Sequence, residues 1–192
     1  MTKLGLIRQW RRIPLKVRLF LRNALLIFAS WQLLYALYIY PTRIMDDFLT
    51  KTTGMATESI LQLIYSAKRF YAVYEVSQNM SDGILSKVGK SLVWMGERPL
   101  ISIVDSCNGL NMYALFIGFI IAFPSSIILK FGFGSMGLLA LIGFNIARCV
   151  GLAILQIHYP NFTVFAHHYI FNVLTYAMVF GLWYYFTKKA TE

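Results

Sequence analysis

The heptapeptide Val104-Asp105-Ser106-Cys107-Asn108-Gly109-Leu110 sets a thiol among polar and turn-forming residues, directly ahead of the apolar run from Met112 to Phe123. A cysteine at the water-facing end of a membrane helix can meet a substrate from outside, whereas one in mid-helix packs as a small hydrophobe. Farther along stand Arg148 and the pair His167-His168. Thiol, guanidinium and imidazole are together the parts of cysteine-based acyl transfer. A nearby cation favours the thiolate, and the histidine then serves as general acid for the leaving amine. Arg148 would bind the developing oxyanion, a contribution of about 2.7–4 kcal/mol per donor in a preorganised site.

Each of these residues also has a plainer role. Arg148 can snorkel to headgroups or pair with Asp105, and Asp105 can pair with it or orient a histidine. Asn108 and Gly109 suit an oxyanion hole and equally a helix start. Either histidine alone reads as an interfacial hydrogen-bonding residue. Cys149 follows Arg148 directly, points elsewhere around a helix and reads as packing. His158 lies in a polar turn, His158-Tyr159-Pro160-Asn161, and reads as interfacial rather than as a base. No HExxH or CxxC spacing supports a metal, so no metal and no cofactor is expected. Two cysteines are too few for a disulfide framework.

The chain that must position these groups is strongly apolar. Of 192 residues, 58% are hydrophobic and only 14% charged, and the mean hydropathy is +0.59, which excludes a soluble domain of ordinary composition. The net charge of +10 does not point to nucleic acid. Seven of the eighteen Lys and Arg residues fall in the first 22 positions, Lys3, Arg8, Arg11, Arg12, Lys16, Arg18 and Arg22, and such a cluster beside an apolar span reads as a topology signal and a contact for membrane lipid. The following apolar stretch is too long for a signal peptide and lacks a small-residue cleavage site, so it reads as a retained anchor.

These features predict an all-α integral membrane protein. A cytoplasmic basic N-terminus (1–18) leads into a first transmembrane helix (19–40), followed by a mixed-charge, extracytoplasmic or interfacial segment (41–102). A three-helix membrane core (103–187) and a short cytoplasmic tail (188–192) complete the chain. Within the second segment, Ile60, Leu61, Ile64, Ala67, Tyr71 and Val76 recur at roughly helical spacing and predict an amphipathic helix over 57–76. Ser81-Asp82-Gly83 reads as a turn, and 84–103 reads as a short helix or a hairpin. Spans are expected at about 103–123, 135–157 and 163–186, making four in all. Both termini are then cytoplasmic, in agreement with the basic N-terminus, Lys130 and Lys188-Lys189. In that topology Cys107, Arg148 and His167-His168 share one layer in the outer third of the bilayer.

Three motifs in order, Asp105-Ser106-Cys107-Asn108-Gly109-Leu110, then Asn145-Ile146-Ala147-Arg148, then Ala166-His167-His168-Tyr169, give a pattern that resembles the exosortase/archaeosortase family of membrane-embedded cysteine transpeptidases. The likeness covers roughly residues 90–186. The chain is shorter than the larger members, and Asn108 stands where a serine is more usual. The resemblance implies a Cys, Arg and His set, here Cys107, Arg148 and one of the two histidines. It leans to His168, on account of Asn172 four residues later. It also implies a prokaryotic inner-membrane enzyme that cleaves C-terminal sorting signals of exported proteins. Such a signal is a short motif, a transmembrane helix and a basic tail, and the acyl group passes to water or to an acceptor amine. The competing reading is a non-enzymatic membrane scaffold, with 41–102 as its partner surface and the polar residues as helix glue.

Overall fold

The computed structural model describes residues 14–81 and 84–192. The basic residues Lys3, Arg8, Arg11 and Arg12, and Asp82-Gly83 of the expected turn, lie outside the described residues. Five helical stretches and a small sheet follow one another. They are α1 (Leu15–Thr42), α2 (Ile44–Ile64), β1 (Phe70–Ser81), β2 (Ile84–Met95), β3 (Arg98–Val104), α3 (Leu110–Ala122), α4 (Ile127–His158) and α5 (Pro160–Thr191). The chain is mostly helical, and α1, α4 and α5 are each long and apolar enough to cross a membrane. Leu25, Leu37, Phe131, Met136 and Tyr184 on these helices are largely exposed, as side chains bathed in lipid would be.

Two expectations are corrected. The protein is not all-α: β1, β2 and β3 form an antiparallel sheet in that order. The amphipathic helix expected over 57–76 is the tail of α2 joined, across a turn at 65–69, to the head of β1. Aromatic and β-branched residues such as Phe70, Tyr71, Val73, Tyr74 and Val76 favour the pleated form, and pairing with β2 decides it. Likewise Ile103 and Val104, expected to open a second span, complete β3 instead. The helix that follows has 13 residues, about 20 Å at the helical rise, and falls short of the ~30 Å hydrocarbon core. Three helices of spanning length therefore stand where four spans were expected. Residues 127–134, which fall between the expected spans, are also helical, and Ser126 caps α4 by accepting from the Leu129 amide at 3.4 Å.

The bundle has two distinct ends. At one, Phe20 of α1 meets Phe119 and Phe123 beside α3, and Phe186 of α5 meets Phe123 and Phe133. Lys16, Arg18, Lys130 and Lys188-Lys189 flank this end. Between α3 and α4 the helices close tightly, for a Cβ at Gly137 would collide with the Phe116 ring. At the other end α2 and the sheet pack on the last turns of α4, burying Leu61, Phe70, Val93, Ile103, Cys149, Val150 and Ala153 in a second core.

An ion pair joins these layers. Arg43, between α1 and α2, has a left-handed backbone with φ 57°, a conformation uncommon for residues other than glycine. From there its guanidinium donates to Asp105 at 2.9 Å, to Asp47 at 2.7 Å and to the Lys87 carbonyl. Asp105 also accepts from Thr50 Oγ1 at 3.0 Å and from the Gly89 amide at 3.1 Å. A Cβ at Gly89 would strike the Arg43 guanidinium and the Tyr74 hydroxyl. Asp105→Ala removes one of the two carboxylates on the buried guanidinium, together with the acceptor of Thr50 Oγ1 and the Gly89 amide, and is expected to cost about 3 kcal/mol. A thermal unfolding scan in detergent would show a lowered midpoint, with Asp105→Asn intermediate.

Candidate active site

Val104 leaves the sheet in an extended conformation, and Asp105–Cys107 form a single 3-10 turn that carries the thiol to the rim of the helices. Several interactions fix this turn. Asp105 is tied to Arg43 and Thr50 as described. Asn108, 1% exposed, donates from Nδ2 to Asp46 Oδ1 at 2.9 Å, and its Oδ1 accepts from the Leu110 amide at 2.9 Å. Gly109 has φ 90°, and a Cβ there would lie 2.5 Å from the Tyr113 ring, so glycine is required both for the turn and for the packing. Asn145 on α4, 2% exposed, donates to the Cys107 carbonyl at 3.3 Å.

His167 brings the imidazole. Its Nε2 lies 3.8 Å from Cys107 Sγ, while its Nδ1 is buried and without a hydrogen-bond partner among the described residues. Ala166–Ile170 is a π-helical turn within α5, a feature often found at functional sites. His168 is exposed, stacks on His167 with ring centroids 5.1 Å apart and borders the same cavity with no hydrogen bond to the sulfur. Of the two histidines, geometry thus favours His167, where the resemblance leaned to His168. Asn172 Nδ2 donates to the His168 carbonyl at 2.9 Å.

Arg148 is the third member. It is 9% exposed, its Nε is buried without a partner, and among the described residues no carboxylate lies within ion-pairing distance. It separates two cavities. One, of about 260 Å³, is shared with Cys107, His167 and His168; the other, of about 230 Å³, is bordered by Ser106, Gly109, Asn145 and Asn172. A buried guanidinium with idle donors facing open space is poised to receive an anion or a developing oxyanion.

The roles offered for the supporting residues are now separated. Asp105 neither orients a histidine nor pairs with Arg148; its carboxylate is committed to Arg43. The Asn108 amide is spent on Asp46, which makes it part of the helix start rather than an oxyanion donor. Cys149 is 2% exposed and packs in the sheet-side core, and both cysteines are free. His158 ends α4 and meets the Tyr65 hydroxyl at 2.9 Å. Among the described residues no cluster of histidine, cysteine and acidic side chains could hold a metal ion.

The residues that sequence reasoning missed are Arg43, Asp46 and Thr50. For Asp46 and Thr50 the signal was present as a stripe of polar and small residues, Asp46, Thr50, Thr53, Gly54 and Thr57, which lie on one face at helical spacing and are all buried along α2. No protein-family model matches the chain, and no curated protein or solved structure matches it either.

Burial raises the Asp46 carboxyl above its ordinary 3.8; the Asn108 hydrogen bond opposes this, and the nearby Asp105 carboxylate adds to it. The folded protein therefore binds this proton more tightly than the unfolded chain. Ionised Asp46 costs stability at neutral pH, and that cost disappears as the pH falls toward 3.8. Asp46→Asn retains an oxygen acceptor for Asn108. It is expected to unfold at a higher denaturant concentration than the parent near pH 7, with the difference narrowing on acidification.

Proposed function

We propose that this chain is a membrane-embedded cysteine peptidase or transpeptidase of the exosortase type, acting at the outer face of a prokaryotic inner membrane with both termini cytoplasmic. The observation that carries the reading is the approach of Cys107 Sγ to His167 Nε2 at 3.8 Å, in a cavity that the buried, unpaired Arg148 also borders. The orientation is supported by Lys16, Arg18, Lys130 and Lys188-Lys189 at the opposite end of the helices.

The chemistry follows from the groups present. His167 takes the proton from Cys107, and the thiolate attacks the carbonyl carbon of a peptide bond. The oxyanion formed lies against Arg148. Collapse breaks the C–N bond, the protonated His167 passes its proton to the departing amine, and a thioester remains on Cys107. Water or an acceptor amine, deprotonated by His167, then attacks the thioester and releases the thiolate. The substrate would be an exported protein bearing a C-terminal sorting signal, whose transmembrane helix lies in lipid beside α1 and α5 and presents its peptide bond at the depth of the thiol.

Cys107→Ala and Cys107→Ser are expected to remain inserted yet to lower processing of a co-expressed exported protein, one ending in an apolar helix and a basic tail, by roughly a thousandfold or more. Unchanged processing in both would exclude the nucleophile. Arg148→Lys replaces a planar fork by a single point donor, and a fall of about a hundredfold in rate is expected; full activity would reduce Arg148 to a structural residue. A membrane-impermeant maleimide applied from outside should modify Cys107 faster than the buried Cys149.

A further inference from the structure

We propose that the outer edge of β3 is the substrate-binding cleft, and that an extended peptide joins the sheet there as a fourth strand, running its main chain past Cys107. This rests on the reading of Cys107 as the nucleophile.

Two independent observations lead to it. First, β3 is an edge strand in the order β1-β2-β3. Alternate residues of such a strand turn their N–H and C=O groups away from the sheet, and among the described residues nothing hydrogen-bonds the outward backbone groups of Leu100–Ile103. Second, the cavity of about 260 Å³ holding Cys107 and His167 runs along this strand, bordered by Leu100, Ile101, Ser102 and Ile103. Successive side chains of a strand point to opposite faces, so four consecutive residues can border one cavity only along the strand's backbone edge. The opposite wall is α5, through Thr163 and Val164, and the floor is α4, through Leu152 and Gln156.

The dimensions suit a peptide. Leu100 to Val104 is five residues, about 16 Å of strand at 3.3 Å each, and can pair with a segment of similar length. Pro99 has no N–H to offer, which sets where a ladder can begin. At the other end the chain turns through Asp105–Cys107, so the sulfur stands where the added strand leaves the sheet. Recognition would be carried mainly by main-chain hydrogen bonds, with alternate side chains of the peptide meeting Leu152 and Val164 or facing solvent. The ligand class is therefore an extended, unfolded polypeptide segment; a helix could not form this ladder.

The test uses the full chain in detergent and a library of randomised hexapeptidyl chloromethyl ketones, with chloroacetone as the reagent carrying the same warhead and no peptide. Alkylation of Cys107 is followed by mass spectrometry. The fastest peptide is then remade with alternate backbone amides N-methylated, in each of the two possible phases. Leading peptides are expected to outpace chloroacetone by tenfold or more. One N-methylated phase should lose about tenfold, having lost its ladder, while the other keeps the parent rate. Equal rates for the two phases, whether high or low, would overturn the strand-addition mode, as would a library in which no peptide outpaces chloroacetone. Neither result touches the thiol assignment, which fails separately if chloroacetone leaves Cys107 unmodified.

Discussion

The tie between Arg43 and Asp105 is the interaction on which the rest of the molecule depends. It joins three parts of the chain that share no continuous hydrogen-bonded element: the junction of α1 and α2, the middle of β2, and the turn that carries Cys107. Its formation requires Arg43 to hold a left-handed backbone, which costs on the order of 1–2 kcal/mol. The return is a guanidinium whose donors reach two carboxylates and a carbonyl in a setting with little water. Breaking the pair leaves Thr50 Oγ1 and the Gly89 amide without their acceptor as well as removing one of the carboxylates on Arg43, so the network specifies one arrangement of the site turn over nearby alternatives.

The groups of the candidate site come from both sides of that tie. Cys107 is delivered by the sheet, while Arg148 and His167 belong to long apolar helices. The sheet and the 3-10 turn after it supply the non-helical backbone that carries the thiol, and the helices supply the buried, apolar surroundings in which a guanidinium acts strongly. The two π-helical turns among the described residues lie toward this end of the bundle. One holds Tyr35, whose hydroxyl meets Asp46 at 3.4 Å, and the other holds His167 and His168. Widened turns at these two places let polar side chains face the site from helices that are otherwise apolar.

Arg148 makes the division of labour visible. Arg43 is satisfied on several sides and serves structure; Arg148 has an unpaired Nε and cavities on either hand. A buried cation left in that state costs stability. The cost is coherent with a site that keeps its donors idle until charge develops on a bound molecule, since donors already neutralised by a fixed carboxylate could contribute little.

Much of this was legible in the sequence. Composition and apolar runs determine a membrane protein with long helices, and the positions of Lys16, Arg18, Lys130 and Lys188-Lys189 mark one end of the bundle, because these are local properties of contiguous residues. Chemistry-bearing side chains could be nominated too, and Cys107, Arg148 and His167 do border one cavity. The sheet was legible only in part: 84–103 admitted a hairpin, which β2 and β3 form, but the head of β1 read as helix, since its backbone is satisfied through β2 and the same apolar residues suit either form when that partner is unknown. Nor could spacing show that Asp105 belongs to Arg43, 62 residues away, that Asn108 belongs to Asp46, or that His167 rather than His168 reaches the sulfur. Those choices are between side chains of equal local merit. Only the packing of α2, the sheet and α5 around the thiol decides them, because hydrogen bonds and burial act across distance in space and leave no trace in neighbouring positions of the chain.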